Sequence, residues 1–257
     1  MIYLVIPAYD EAPNIGRLFE QLRPVADQLG ARVLFVDDGS TDGTADLARH
    51  EGAGIDLRIV AHEENKGLGA ALDTGLRAAL VEAADDDVIV TLEGDGTSDL
   101  GDLPEMLSRL SEGYDLVLAS VHAPGGKLVG VAHWRVFASK AASAVVRLSA
   151  GLGDVHTVSA VYRCYRTGVL RRAADLYGAE LIREPGFAVN VELLLKLKDC
   201  GASVCEVSTT NDWTQRAGTS KLRTGQTLRA YVRVLREHRS DRKQLPQPPA
   251  LAPAEPG

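Results

Sequence analysis

The sequence predicts an α/β protein with a single domain, in which a mostly parallel sheet is flanked by helices. Strand-like and helix-like patterns alternate regularly through the first half of the chain, as they do in a series of βαβ units. The apolar run at residues 88–92 ends abruptly at an acidic, glycine-rich segment, which is typical of a buried parallel strand. The 25 glycines and the aromatic content of only 5% suit a fold with many tight turns.

The first half is expected to contain alternating strands and helices. Short apolar runs bounded by glycine and polar residues predict the strands, and apolar residues at helical spacing predict the helices. Asp42 stands where it can cap the second helix. The predicted strands cover residues 2–6, 32–36, 57–61, 88–92 and 115–119; the helices cover residues 14–29, from the Asp42 cap to about 50, 68–84 and 103–110.

The second half is less regular. The pattern predicts helices at residues 135–148, 190–200 and 224–239, and strands at residues 158–166 and 203–207. The last helix has arginines around four apolar residues at helical spacing: Leu228, Tyr231, Val232 and Leu235. Such a basic amphipathic helix can pack on the domain or rest on an anionic membrane surface, and the sequence leaves both open.

Charge is divided unevenly along the chain, which has a net charge of −7. Residues 1–120 carry 24 Asp and Glu against 8 Lys and Arg, whereas residues 121–257 carry 11 against 20. An acidic half repels a polyphosphate unless a metal intervenes, and a basic half attracts an anionic partner. No recognisable nucleic-acid-binding motif accompanies the basic half, so we expect no nucleic-acid partner.

The cysteines and the apolar runs indicate the compartment. The three cysteines form no C-x-x-C pair, which favours a reducing compartment over a disulfide framework or a zinc site. No apolar stretch approaches the roughly 20 residues that a transmembrane helix needs. We therefore expect a cytoplasmic protein, with peripheral contact on the inner face of the membrane left open.

Polar residues follow four predicted strands at the points where these strands end. Tyr9 can face a nucleotide base, Lys66 can neutralise phosphate, and Gly67 allows close backbone approach. Glu93 and Asp95 are one residue apart on a glycine-containing turn, where they can face a hard divalent cation that holds a diphosphate. Because ligands bind outside the carboxyl ends of parallel strands, these residues predict one nucleotide site.

Four motifs occur in the order IPAYDEAPNI, VDDGSTDGT, NKGLGAAL and LEGDGTSD. Together they resemble the family-2 glycosyltransferases of the GT-A fold. More narrowly, the chain is similar to the polyprenyl- or dolichol-phosphate mannose synthases, with support from HWRVFASKAAS, SAVYRCYR and the RAGTSK segment at residues 216–221. The resemblance covers roughly residues 1–235.

The resemblance implies a domain organisation. We expect a GT-A glycosyltransferase domain at residues 1–240, with a nucleotide-binding half at 1–120 and an acceptor half at 121–240 that ends in the basic helix. Residues 241–257 are rich in Pro and Ala, a composition that predicts a disordered tail.

The resemblance also implies the residues of the donor site. Pro7, Tyr9 and Glu11 of the first loop and Asp38 of the second are expected to bind the nucleotide of a sugar diphosphate. Residues 93–95 are expected to hold Mg²⁺ or Mn²⁺ against the diphosphate. The expected nucleotide-sugar site consists of Pro7, Tyr9, Glu11, Asp38, Lys66, Gly67, Glu93, Gly94 and Asp95. GDP-mannose is the favoured donor by this resemblance, with UDP-sugars as alternatives.

The metal motif departs from the pattern of the branch, which more often reads Asp-Ala-Asp-Leu-Gln. Glu93 stands at the first position, and Thr97 replaces the Gln as the third candidate contact. Glutamate still ligates a hard cation, so the expected metal ligands are Glu93, Asp95 and Thr97. A second departure follows the fifth strand, where the branch usually has Gly-Ser-Arg and this chain has Ala119-Ser120-Val121.

A lipid phosphate is the expected acceptor. Its oxygen is already ionised near neutral pH, so transfer needs no general base but does need cations that hold two anionic partners together. Arg135, Arg216 and Lys221 are the candidate cations, with Ser139 beside them, and Asp95 completes the catalytic set. A direct displacement at the anomeric carbon would invert its configuration, as the resemblance implies.

Other functions remain open on the sequence alone. A soluble hydroxyl acceptor would require a base, for which Asp212, Glu184 and His156 are candidates. A nucleotide-binding regulatory module would keep the loops of the first half but would have no use for the basic residues of the second. A dinucleotide-dependent oxidoreductase is disfavoured, because PAYDEAP follows the first strand in place of G-x-G-x-x-G; a P-loop motif is also absent.

Overall fold

A computed structural model of the chain describes residues 1–153, 155–218 and 224–242. Strands and helices alternate through the first half, and helices predominate in the second. The strands are β1 Ile2–Ala8, β2 Arg32–Asp37, β3 Leu57–Ala61, β4 Val88–Thr91, β5 Leu116–Ser120, β6 Lys127–Val129, β7 Arg163–Arg166, β8 Val204–Ser208 and β9 Thr210–Asp212. The helices are α1 Ala12–Leu29, α2 Thr44–Glu51, α3 Leu68–Glu82, α4 Leu103–Ser111, α5 His133–Ala150, α6 Thr167–Tyr177, α7 Val189–Asp199 and α8 Thr224–Asp241.

The main sheet has seven strands in the described ranges, in the order β3-β2-β1-β4-β7-β5-β8. Strands β3, β2, β1 and β4 pair in parallel, as do β5 and β8. Strand β7 is antiparallel to both of its neighbours, β4 and β5. The mostly parallel sheet flanked by helices that the sequence predicts is therefore confirmed. The parallel strands deliver the loops that follow β1, β2 and β4 to one edge.

Both faces of the sheet are buried, so its central strands are apolar on both sides. In β1, Leu4 and Ile6 pack in the cluster that contains Phe19 of α1, whereas Val5 packs in the cluster that contains Leu76 of α3. This alternation follows the two-residue period of a strand. No helix within the described residues is both long and apolar enough to cross a membrane.

The strand predicted at residues 158–166 is wrong in its first half, because β7 begins only at Arg163. The side chain of Arg163 explains the difference. Its Nε donates to the carbonyl oxygen of Ala160 at 2.7 Å and its Nη2 to that of Val158 at 2.9 Å. A fully buried guanidinium that needs acceptors thereby fixes the preceding residues in a turn, whatever their strand propensity.

Three elements were not expected from the sequence. Helix α6 follows β7 directly, and the short strands β6 and β9 form a separate two-stranded sheet. This small sheet lies before the segment that carries Trp213 and Arg216, and thus positions the second half of the site. Helix α8 ends at Asp241, one residue past the expected domain boundary, and residues 243–257 of the expected tail lie outside the described residues.

Gly69 lies where α3 meets the loop before α7. Its backbone N–H donates to the carbonyl oxygen of Pro185, in the second half of the chain, at 2.9 Å. A Cβ at Gly69 would overlap the carbonyl oxygen of Glu184. Glycine is therefore needed here for close backbone contact, and not for a positive φ.

We expect Gly69→Ala to destabilise the protein by about 1–3 kcal/mol, as overpacking does. This loss should outweigh the higher helix propensity of alanine, which exceeds that of glycine by about 1 kcal/mol. Gly16→Ala in α1 is the matched control, because nothing lies within 4 Å of a Cβ built there; it should stabilise the protein by about 0.5–1 kcal/mol. Urea unfolding measures both. Equal effects of the two substitutions would show that the contact at Gly69 is not tight.

Candidate functional site

A cavity of about 1150 Å³ opens at the carboxyl ends of the parallel strands. It is lined by loops from the first half and by residues of α5, α8 and the segment after β9. Of the residues that the sequence predicts for the site, the cavity is lined by Pro7, Tyr9, Glu11, Asp38, Gly67, Glu93, Gly94, Asp95, Thr97, Arg135, Ser139 and Arg216. Lys66 is exposed and outside the lining, and Lys221 lies outside the described residues.

The first loop is tied to the second at the end of β1. Asp10 has a positive φ of 47°, a conformation that Asp tolerates better than most residues. Its backbone N–H donates to Ser40 Oγ at 2.9 Å, and its carboxylate accepts from the backbone N–H of Thr41 at 2.9 Å. The backbone N–H of Glu11 donates to Thr44 Oγ1 at 2.8 Å. These bonds present the buried Glu11 to the cavity.

Asp38 organises the third loop. Its Oδ1 accepts from the backbone N–H of Lys66 at 3.0 Å and its Oδ2 from that of Gly67 at 2.8 Å. The Nδ1 of His62 lies 2.7 Å from Oδ1. Asp38 thus shapes the rim of the cavity. Lys66 contacts Asp38 through its backbone N–H and not through its side chain.

The acidic loop after β4 is drawn close to β1. A Cβ at Gly94 would lie 2.7 Å from the carbonyl oxygen of Pro7, so only glycine fits between the two carboxylate residues without displacing the first loop. Asp95 Oδ1 accepts from the backbone N–H of Thr97 at 3.1 Å and from its hydroxyl at 2.7 Å. The hydroxyl of Thr97 is therefore directed at Asp95.

Glu93 and Asp95 are both half-buried. Ser98 Oγ donates to Glu93 Oε2. Burial raises the pKa of Glu93 above its usual range, and the negative charge of Asp95 adds to the effect, whereas the bond from Ser98 opposes it. Two acidic groups on one turn in a low-dielectric setting favour a cation between or beside them.

Arg216 supplies a cation to this acidic end. Its Nη1 lies 3.0 Å from Asp95 Oδ2, and its Nη2 lies 3.2 Å from Glu11 Oε1. All three side chains are nearly buried, so their mutual attraction is only weakly screened. The Nε–H of Arg216 is buried without a hydrogen-bond partner in the part of the chain that the structure describes, so the guanidinium retains one donor for a further acceptor.

Two residues that sequence reasoning missed position Arg216. Asn14 pairs with the backbone of Ala217 in both directions: its Oδ1 accepts from the N–H at 2.9 Å, and its Nδ2 donates to the carbonyl at 3.2 Å. Arg17 donates to the carbonyl oxygen of Asp95 and to Gln215 Oε1, both at 2.9 Å. Asn14 lies within the motif IPAYDEAPNI, so the sequence contained a signal for its place in the site. Arg17 lies outside the motif, and no sequence pattern marked it.

Arg135 lines the cavity from the first turn of α5. Its guanidinium carbon is 5.2 Å from the centroid of the Trp213 ring, a cation–π distance. Ser139, one turn along α5, lies 3.1 Å from Nε2 of His122. Burial lowers the pKa of His122, and Lys140 adds to the effect. His122 is therefore a neutral group near the position where the branch usually has an arginine.

The candidate general bases are engaged in contacts of the fold. Glu184 Oε2 accepts from Arg233 at 2.5 Å, and Glu206 Oε2 lies 2.9 Å from Nδ1 of His156. Asp212 accepts from the backbone N–H and hydroxyl of Thr214, and these bonds lower its pKa. A carboxylate with a lowered pKa is a weak base near neutral pH.

The oxygen-rich donor set suits a hard divalent cation. Within the described residues, no group of three or more His, Cys, Asp and Glu side chains could hold a metal. Glu93 and Asp95 supply two carboxylates, which is the small protein share that Mg²⁺ takes when substrate phosphates and waters complete its octahedron. The residues therefore fit a metal bound jointly with a diphosphate. In this structure the contact of Asp95 Oδ2 is the guanidinium of Arg216.

Comparison with solved structures places the fold among known transferases. A structure of glucosyl-3-phosphoglycerate synthase from Mycobacterium tuberculosis in complex with Mn²⁺, UDP and phosphoglyceric acid matches with a TM-score of 0.68 and 23% identity, covering 93% of this chain and 78% of that one. Another, in complex with Mg²⁺ and UDP, matches with a TM-score of 0.67 and 22% identity, covering 93% and 79%. At these identities the likeness establishes the GT-A fold.

Comparison of sequences establishes the family. An undecaprenyl-phosphate mannosyltransferase from Micrococcus luteus is 34% identical over 240 residues, which cover 91% of this chain and 93% of the relative. A polyprenol monophosphomannose synthase from Mycolicibacterium smegmatis is 32% identical over 226 residues, covering 85% and 80%. The family model described as glycosyl transferase family 2 matches residues 3–171. The chain therefore belongs to glycosyl transferase family 2.

Proposed function

We propose that this glycosyltransferase moves a hexose, with mannose favoured, from a nucleotide diphosphate sugar to a polyprenyl phosphate, with inversion at the anomeric carbon. The names of its relatives support this acceptor and this sugar. The observation that carries the proposal is that one cavity is lined by two sets of residues with different chemistry. Carboxylates and glycine-containing loops form the first set, which we assign to the donor end; Arg135 with apolar side chains of α5 and α8 forms the second, which we assign to the acceptor end.

The donor end is suited to a nucleotide diphosphate. Tyr9 and Glu11 line it from the first loop, and Gly67 lines it from the third. A carboxylate there can accept from a base N–H or a ribose hydroxyl, and the glycine lets the backbone approach a phosphate. GDP-mannose is the favoured donor, and UDP-sugars fit the same chemistry.

We propose Mg²⁺ or Mn²⁺ as the cofactor, with Glu93 and Asp95 as ligands and Thr97 as a third candidate. When bound, such a metal neutralises the charge that develops on the leaving diphosphate. With a metal on Asp95, Arg216 would exchange that carboxylate for a diphosphate oxygen, because one carboxylate oxygen cannot serve two cations equally well. Its unpaired Nε–H gives it a donor for this new acceptor.

The acceptor end is suited to an ionised phosphate on an apolar chain. Arg135 provides a cation fixed over Trp213, and Ser139 lies one turn away. Ala138, Ala142 and Leu228 give the cavity an apolar wall. A phosphate oxygen needs no base, which agrees with the engagement of Glu184, His156 and Asp212 elsewhere. Lys221, outside the described residues, remains a candidate second cation.

One observation favours a soluble hydroxyl acceptor as the second candidate function. Val121 and the neutral His122 occupy the segment where the branch usually has an arginine, so the described part of the acceptor end has fewer cations than a lipid-phosphate site would use. This alternative requires a base, and His122 beside Ser139 could take a proton with its unengaged, buried Nδ1. The family makes a non-catalytic nucleotide-binding module the weakest alternative.

We further propose that residues 1–240 act as one catalytic domain, that the tail from residue 241 is dispensable for chemistry, and that the protein works in the cytoplasm at the inner face of the membrane. A polyprenyl phosphate resides in a bilayer, so the acceptor itself requires peripheral contact with a membrane.

The proposal is tested by offering the purified chain a panel of GDP- and UDP-sugars with polyprenyl phosphate. We expect a lipid-linked hexose, greatest with GDP-mannose, that requires Mg²⁺ or Mn²⁺ and disappears when EDTA is added. Transfer only to a soluble hydroxyl acceptor would replace the first proposal by the second. No response to any sugar nucleotide with Mn²⁺ would contradict both.

Arg135→Ala should lower kcat/KM for polyprenyl phosphate by roughly 10- to 100-fold, since a positioning charge on a reacting anion is lost. The KM for the sugar nucleotide should not change, because the guanidinium of Arg135 stacks on Trp213 and is assigned to the acceptor. Arg49→Ala on the exposed surface of α2 is the matched control and should have no effect. Unchanged kinetics of Arg135→Ala would contradict its role at the acceptor phosphate.

Glu93→Gln should abolish metal-dependent transfer and also stabilise the fold at neutral pH. The raised pKa of Glu93 means that the folded state binds more protons than the unfolded state above the usual glutamate range. Wild-type stability therefore falls as pH rises through the raised pKa, and the variant escapes this loss. The difference in unfolding free energy should be small at pH 4 and grow towards pH 8, as measured by urea unfolding at each pH.

Asp95→Asn is the informative contrast to this variant. It should lower kcat by about 100- to 1,000-fold, as the loss of a charge-stabilising group does, but without a gain in stability, because Asp95 is paired with Arg216 in the fold. A stabilised Asp95→Asn, or a Glu93→Gln variant with no gain at pH 8, would contradict the division of roles between the two carboxylates.

A further inference from the structure

Helix α5 presents an apolar stripe to solvent. Trp134, Phe137, Ala141, Val145 and Leu148 follow one another at intervals of three or four residues, which places them on one face of the helix. Trp134 is 64% exposed, Phe137 76%, Val145 57% and Leu148 80%. These four are among the most exposed large apolar side chains of the described chain.

The inward face of the same helix is the less apolar one. Ser143 and Val146 are its buried residues, and Arg135 and Ser139 face the cavity. A helix that only packs on its own domain turns its apolar stripe inward. Helix α5 has the reverse arrangement, so the stripe has a use other than the core of this domain.

The stripe is bordered by positive charge. Helix α5 contains no Asp or Glu, and Lys140 and Arg147 flank the stripe. On α8, which packs beside α5, the apolar residues Leu228 and Val232 are 39% and 46% exposed.

Three exposed arginines of α8 continue this border: Arg229, Arg236 and Arg239. Arg233 is exposed as well and pairs with Glu184. Glu237 lies nine residues after Leu228, which places it half a turn around the helix. Asp241 is paired with Arg183. The face that α8 shares with the stripe therefore presents apolar and basic groups.

This surface borders the mouth of the cavity. Leu228 belongs both to the exposed surface and to the cavity lining, and α5 lines the cavity with Ala138 and Ala142 on the turns next to Trp134 and Phe137. An acceptor chain that leaves the cavity between α5 and α8 therefore meets the stripe directly.

We propose that the exposed faces of α5 and α8 form a docking surface for an anionic lipid bilayer. Trp134, Phe137 and Leu148 enter the boundary between headgroups and acyl chains, and Lys140 and the arginines contact lipid phosphates. This inference rests on the proposed lipid-phosphate acceptor and names the surface that brings the cavity to it. A second copy of the chain is the poorer occupant, because the basic borders of two such surfaces would repel each other.

The test uses the full chain and sedimentation with vesicles of phosphatidylcholine containing 30% phosphatidylglycerol. The double variant Trp134→Ser with Phe137→Ser should bind at least tenfold more weakly than the wild type. The matched control is Leu47→Ser with Val81→Ser, which removes two exposed apolar side chains from α2 and α3, away from the surface; it should bind like the wild type. Lys140→Gln with Arg147→Gln should lose the preference for anionic over neutral vesicles.

Activity separates this inference from the proposed function. With a short, water-soluble polyprenyl phosphate, the Trp134/Phe137 variant should keep wild-type turnover within twofold, which also shows that it is folded. With a long-chain acceptor embedded in vesicles, its turnover should fall at least tenfold.

Three outcomes would overturn the surface: no vesicle binding by the wild type, an equal loss in the Leu47/Val81 control, or a wild-type dimer that the Trp134/Phe137 variant dissociates. Vesicle binding by a wild type that transfers sugar to no polyprenyl phosphate would contradict the proposed function and leave the surface standing.

Discussion

The interaction on which the site depends is the guanidinium of Arg216 between Asp95 and Glu11. The loops after β1 and β4 bring two carboxylates together at one sheet edge, where their charges repel and water is scarce. Arg216, from the second half of the chain, compensates that repulsion. Under the proposed function, a metal at Asp95 would replace Arg216 as its partner and leave the guanidinium for a diphosphate. The contact that joins the two halves of the chain would then be the one that the donor engages.

The acidic end also shows why a transferase site costs stability. The charge of Glu93, whose pKa is raised by desolvation and by Asp95, is unfavourable for the fold, and the bond from Ser98 opposes this effect. Replacing Glu93 with a neutral residue would ease folding, but in the proposed metal role a neutral oxygen would bind a hard divalent cation more weakly than a carboxylate does. The site therefore retains charge where the fold alone would not. Asp38 differs from Glu93. Its two oxygens accept hydrogen bonds from the backbone of the third loop, so it shapes the rim of the cavity.

Local patterns were sufficient to predict most of the fold and part of the site. Strands and helices of the first half follow their periodicities within a few residues, and parallel strands necessarily bring their loops to one edge. The turn at residues 158–160 could not be predicted, because it depends on where Arg163 finds acceptors. The contact of Arg216 with Glu11 could not be predicted either, because it joins residues 205 positions apart. Pairings of this kind depend on tertiary geometry and leave no periodic trace in the sequence.

Helix α5 shows a further limit of periodicity. Its apolar spacing predicts a helix but not the direction in which the apolar stripe points, and the direction decides between a core element and a surface that binds something else. The stripe points outward because the helix must turn Arg135 and Ser139 towards the cavity, and the opposite face is then exposed. The proposed acceptor contacts and the proposed docking surface therefore lie on two faces of one helix. A rotation of α5 that buried Trp134 would withdraw Arg135 from the acceptor end, so an enzyme that takes its acceptor from a bilayer gains from leaving the stripe exposed.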